Sequence, residues 1–109
     1  MPEQLTDAER DEALSSLPDW RYADDALRTA YAARSSRDAL RLIAAIGEAA
    51  ESMNHHPDVD WRYDHVLVRT STHSVGGKVT QKDLELAGRI SAAAAAVEAR
   101  AVPEKGATG

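Results

Sequence analysis

The four histidines, His55, His56, His65 and His73, all fall within one short stretch of the chain, and none occurs elsewhere. Imidazole titrates near neutrality, so it gives and takes a proton at working pH with little tuning. His55-His56-Pro57 follows a helix-patterned segment, and His73 follows a strand-patterned one. Both are places where a rigid element meets a loop, a common setting for a site. The chemistry such a cluster supports is general acid–base catalysis, a neutral ring as base and a protonated ring as acid. One histidine at a helix end is more often a partner of the helix dipole or a surface residue. Two adjacent rings followed by proline, with a third after a hairpin, make a candidate site. His65 falls at the expected hairpin tip and reads as exposed and incidental.

A three-histidine zinc site is the obvious rival, since zinc accepts three imidazoles and a water. Adjacent side chains diverge, however, and neither H-x-H nor H-E-x-x-H spacing occurs. No fourth ligand has diagnostic spacing, so metal is the weaker reading. With no cysteine in the sequence, a thiolate nucleophile, a thiolate metal site and a disulfide scaffold are all excluded.

The elements that must position these rings are legible in the pattern. Thr6 and Glu9 form a capping box that opens a short helix through Leu14, and Pro18 stops it. Trp20-Arg21-Tyr22 reads as a strand and Asp24-Asp25 as a turn. Leu27, Thr29, Tyr31 and Ala33 then alternate against Arg28, Ala30 and Ala32, giving a first hairpin. Ser35 or Ser36 caps a long helix with one face of Ala39, Leu42, Ile43, Ile46, Ala50 and Met53. Trp61 to Tyr63 and Val66 to Thr72 form a second hairpin around Asp64-His65. Gly76-Gly77 breaks the chain. Thr80 with Asp83 opens a last helix striped by Leu84, Ala87, Ile90, Ala94, Val97 and Ala101, and the tail after Pro103 reads as frayed. Helix, hairpin, helix, hairpin, helix is an α+β order. It predicts a four-stranded antiparallel sheet with helices packed on one face.

At 109 residues the chain fits one domain, with its core at about residues 5–100, and leaves no room for a second catalytic unit. Thirteen basic and 18 acidic residues give a formal charge of −5, and the basic ones are dispersed. That field repels a phosphate backbone, so direct nucleic-acid binding is disfavoured. The longest apolar stretch, residues 91–97, is mostly alanine and too short to cross a bilayer. The N-terminus lacks a signal-peptide pattern, so the expected location is cytoplasmic. Phenylalanine is absent, and two Trp and three Tyr supply all the aromatic bulk. Burial in a homo-oligomer is a plausible supplement to such a core.

The run Glu51-Ser52-Met53-Asn54-His55-His56-Pro57 resembles the signature of the pterin-4a-carbinolamine dehydratase family. The resemblance continues through Trp61 and Tyr63, the strand ending Ser71-Thr72-His73, and Asp83 with Leu84 and Leu86-Ala87. Trp20 and the helix before Glu51 also match the family's layout. The resemblance implies the same α+β fold and the dehydration of 4a-hydroxytetrahydrobiopterin to quinonoid dihydrobiopterin, without metal or cofactor. That reaction recycles the cofactor of aromatic amino-acid hydroxylases, so a hydroxylase is an implied pathway partner. It further implies a homodimer or homotetramer. One branch of the family also binds a homeodomain transcription factor as a dimerisation cofactor.

Carried onto this chain, the resemblance makes His55, His56 and His73 the catalytic set. His56 is expected near the 4a-hydroxyl, and His55 and His73 are the better candidates for acid and base. Trp20, Glu51, Asn54, Pro57, Ser71, Thr72 and Asp83 are the implied substrate-binding residues. Glu51, one turn before His55, is placed to orient a histidine. Asp83 is expected chiefly as a helix cap that fixes the loop after His73. Arg62 and Arg69 read as surface strand residues. The competing functions are a non-catalytic dimerisation or assembly factor of the same fold, and a zinc hydrolase. The intact His-His-Pro and Ser-Thr-His segments argue against a pure scaffold.

Overall fold

The structure, a computed structural model, describes residues 4–72, 76 and 78–108. Helix α1 (Asp7–Leu14) opens with the expected capping box, Thr6 against Glu9. Strands β1 (Arg21–Ala23) and β2 (Ala26–Ala32) turn tightly through Asp24 and Asp25, both at positive φ. Helix α2 (Ser36–Met53) is capped by Ser35, whose Oγ accepts from the Asp38 amide. Strands β3 (Asp58–Arg62) and β4 (His65–Thr70) form the second hairpin. Helix α3 (Gln81–Ala96) starts at a second capping box, Thr80 against Asp83. A two-residue strand β5 (Arg100–Ala101) and a short helix α4 (Pro103–Thr108) complete the chain.

The sheet is antiparallel in the order β1-β2-β4-β3, with β5 pairing against β2. The expected α+β architecture is therefore present. Side-chain alternation explains how the faces are used. Leu27, Thr29 and Tyr31 of β2 and Val66, Val68 and Thr70 of β4 are register partners and point to one face. There the apolar members meet Leu42 and Ile46 of α2 and Leu84, Ala87 and Ile90 of α3. Full burial of each large apolar side chain in this cluster contributes about 1.5–3 kcal/mol. Trp20 joins it, 2% exposed, with its indole Nε1 donating to Ser91 Oγ at 3.0 Å.

Four sequence-based expectations are corrected. The second hairpin turns at Tyr63-Asp64, one residue earlier than expected, because Tyr63 takes the positive φ (56°) and His65 already pairs with Arg62 and Ala32. His65 is consequently half-buried: its Nδ1 lies 2.8 Å from Asp64 Oδ1, and its Nε2 lies 3.3 Å from Lys105 Nζ. The last helix ends at Ala96, so Ala101 belongs to β5, where it pairs with Tyr31. Finally, the segment after Pro103 is helical. Val102 packs on Ala30 and Leu67, the residues that alternate with the helix-facing set, so α4 sits on the opposite face of the sheet. Gly106 lets it approach closely, since a Cβ there would fall 2.3 Å from the Thr29 carbonyl oxygen.

Candidate active site

The end of α2 sets the site. Asn54 adopts the left-handed conformation (φ 51°), which asparagine tolerates better than most residues. Its amide bonds the Glu51 carbonyl at 3.2 Å, and the His55 amide bonds that of Ala50 at 3.0 Å. This is a Schellman closure, followed as usual by a nearby proline, Pro57. It reverses the chain so that His55 turns under the helix while His56 stays outside. The two adjacent rings therefore diverge, His55 at 9% side-chain exposure and His56 at 55%.

Each ring is anchored at the same atom. His55 Nε2 lies 2.6 Å from Asp83 Oδ1, and His56 Nε2 lies 2.5 Å from Glu51 Oε2. A carboxylate only accepts, so both Nε2 atoms carry hydrogen and both Nδ1 atoms are left without a partner among the described residues. Asp83 is fully buried, and its acceptor capacity is taken up by four donors. Oδ1 receives the Thr70 hydroxyl at 2.6 Å as well as His55; Oδ2 receives the Thr72 hydroxyl at 2.8 Å and the Thr80 amide at 2.9 Å. The residue is thus more than a cap. It ties α3, β4 and the end of α2 together and fixes the His55 ring.

Asn54, His55, His56, Pro57, Asp58, Ser71, Thr72 and Lys82 enclose an open cleft of about 420 Å³. That is a volume suited to a small bicyclic ligand. Six of the residues expected from the sequence, Asn54, His55, His56, Pro57, Ser71 and Thr72, are brought together here. Glu51 and Asp83 stand behind the two rings as their hydrogen-bond partners. Trp20 is not brought to the cleft; it lies in the core against α3. His73 lies outside the described residues. Sequence reasoning did not single out Thr70, Asp58 or Lys82. The signal for Thr70 was a polar residue two positions beyond Val68 on a core-facing strand row, whereas Asp58 and Lys82 gave none.

A buried, carboxylate-anchored imidazole beside an exposed one, at the rim of a small cleft in an α+β domain, is an arrangement with the groups that acid–base chemistry on a small molecule needs. Comparison with known proteins specifies the class. The profile described as Pterin 4 alpha carbinolamine dehydratase matches residues 3–93. A provisionally assigned pterin-4-alpha-carbinolamine dehydratase of Opitutus terrae is 44% identical over 90 residues, 83% of this chain and 93% of that one. One from Mycobacteroides abscessus, assigned in the same way, is 44% identical over 86 residues, 79% and 90% of the two chains. The crystal structure of a transcriptional coactivator/pterin dehydratase from Brucella melitensis superposes with a TM-score of 0.81 at 31% identity, covering 84% of this chain and 99% of that one. The chain belongs to the pterin-4α-carbinolamine dehydratase family, a family of lyase-type enzymes. Among the described residues, no helix is long and apolar enough to cross a membrane.

Proposed function

We propose that this protein dehydrates 4a-hydroxytetrahydrobiopterin to quinonoid dihydrobiopterin by histidine acid–base catalysis, without a metal, in tetrahydropterin recycling. The observation that carries the reading is the pair of imidazoles at one cleft, each held at Nε2 by a carboxylate, each with Nδ1 uncommitted among the described residues. Loss of water from C4a needs a proton delivered to the departing hydroxyl and a proton removed from N5. The C4a–O bond then breaks, the N5 electron pair forms the new C=N bond, and no electrons are exchanged with a redox partner. His56, exposed at the rim, is positioned for the 4a-hydroxyl. His55 takes or returns a proton at Nδ1, and the resulting cation is balanced by Asp83 behind it. His73 is the third member of the set; its neighbour in sequence, Thr72, lines the cleft. Stopped-flow absorbance on freshly generated 4a-hydroxytetrahydropterin, after chelator treatment, tests this. Wild type should accelerate quinonoid formation, and His55→Ala or His56→Ala should each lose about 10²–10⁴-fold of that rate. An inactive wild type would sink the assignment.

A homodimer or homotetramer belongs to the same proposal. Val59, Trp61 and Tyr63 are exposed on and just after β3, which is an edge of the sheet and an open template for pairing. The alternative reading, a non-catalytic assembly factor, draws on that edge and on the coactivator half of the Brucella protein's name. It predicts oligomers without dehydratase activity.

A further inference from the structure

The sheet face turned away from α2 and α3 carries a row of cross-strand partners: Arg21 on β1, Arg28 on β2, Arg69 on β4 and Asp58 on β3. Arg28 and Arg69 stand directly opposite each other, a like-charge pairing that costs a sheet stability. Both border a hollow of about 180 Å³, also bounded by Leu67 and Val68 of β4, Asp58 and Asp60 of β3, and Gly106 of α4.

Most of the donors there are uncommitted among the described residues. Of the five N–H groups of Arg28, only Nε–H finds an acceptor among the described residues, the Ala23 carbonyl at 3.2 Å. Asp24 approaches Nη2 no closer than 3.8 Å, beyond hydrogen-bond reach. Among the described residues Arg69 uses only Nη1, at 3.3 Å to both Asp58 Oδ2 and Ser71 Oγ, leaving Nε and Nη2 open. Asp60 is engaged with Arg62 at 2.7 Å. Two partly buried guanidiniums with open forks, carried by paired residues of adjacent strands and bordering one hollow, suit an oxyanion that each can grip with two parallel bonds. The hollow is smaller than the roughly 300–1,000 Å³ of drug-sized sites, so the ligand must be compact.

We propose that Arg28 and Arg69 form a second ligand site, on the sheet face turned away from α2 and α3 and adjoining the histidine cleft at Asp58, for a compact phosphate-type oxyanion. The anion is either free phosphate or a phosphate monoester on a small group. Binding relieves the repulsion between the two arginines, with α4 as the wall. The family match ends at residue 93, so β5 and α4 lie beyond it. The wall is thus supplied by a part of the chain that the family profile does not describe.

Titrating the full chain with inorganic phosphate, and separately with glycerol 3-phosphate, at ionic strength balanced by chloride tests the site through backbone amide chemical shifts. Saturable shifts are expected at Leu67, Val68 and Gly106. Affinity should fall at least roughly tenfold in Arg28→Met and Arg69→Met, which keep the aliphatic stem but remove the fork. Tighter binding of the ester assigns the site to an esterified phosphate, and equal binding assigns it to the free ion. Absence of saturation, shifts confined to the histidine cleft, or undiminished affinity in the methionine variants would overturn the proposal. Should a methionine variant not fold, Arg28→Lys, which keeps charge without the fork, must still weaken binding.

Discussion

His55 and Asp83, 28 residues apart in sequence, meet at 2.6 Å in the buried wall of the cleft, and the carboxylate that holds the ring also caps helix α3. One side chain therefore joins the end of α2, the end of β4 and the start of α3. The geometry of the cleft and the stability of the fold are coupled through it.

Asp83→Asn tests that coupling. An amide has the same shape but offers two N–H donors where Asp83 only accepts, so at least one of the four buried donors around it loses its partner. Unfolding in urea should show a loss of about 1–3 kcal/mol. The rate of quinonoid formation at saturating substrate should fall by more than the affinity changes, because a misoriented His55 impairs the proton step and not binding. Equal stability and rate would show that the four bonds carry no weight.

Glu51→Gln separates the exposed ring from the buried one. The His56–Glu51 contact lies at the surface, where such pairs contribute little to stability. The variant should keep its urea midpoint, within about 0.5 kcal/mol. Its dehydration rate should drop less than that of His56→Ala, since the amide oxygen still accepts from Nε2. A rate loss as large as that of His56→Ala would mean that the carboxylate charge itself is needed.

The sequence carried much of this site and lost the rest for definable reasons. The capping boxes at Thr6 and Thr80, the Ser35 cap and the apolar face of α2 depend on residues close in sequence, and each appears where the pattern put it. The Asp83–His55 contact depends on three elements meeting, so the sequence showed only the capping half of Asp83's role. Trp20 had no local signal to say whether it faced ligand or core, and Ser91, its partner, lies 71 residues away. The tail read as frayed because Lys105, Gly106 and their neighbours have little apolar pattern of their own. What holds them is a glycine's closeness to another strand, which no periodicity records.

Acid should act on the structure partly through Asp38. Hydrogen bonds from Arg41, at 2.6 Å, and then Arg34, at 3.3 Å, hold its carboxyl below the ordinary carboxylate value despite its burial. A carboxylate with a depressed folded pKa stabilises the fold fully above its unfolded value, near pH 4, and loses that contribution as pH falls through the lower folded value. The urea midpoint of wild type should therefore fall more steeply below pH 4 than that of Asp38→Asn, which has no such charge to lose. Parallel curves for the two proteins would show that the arginine pair contributes nothing.

Gly106→Ala probes the far side of the sheet. With a Cβ 2.3 Å from the Thr29 oxygen, helix α4 can remain helical only by lifting off β2. Lifting it withdraws cover from Ala30 and Leu67 and strains the Val102 amide's 2.7 Å bond to the Ala30 carbonyl. Overpacking of this kind costs about 1–3 kcal/mol. Because α2, α3 and the His55–Asp83 pair lie on the other face, the loss should be local. Hydrogen exchange should speed up at the Val102 and Lys105 amides while the His55 amide, bonded to Ala50, keeps its protection. Faster exchange at both places would mean that the two faces open together, with α4 part of one cooperative unit with the active site. Unchanged exchange at both would mean that the close approach of Gly106 to Thr29 does not hold the helix down.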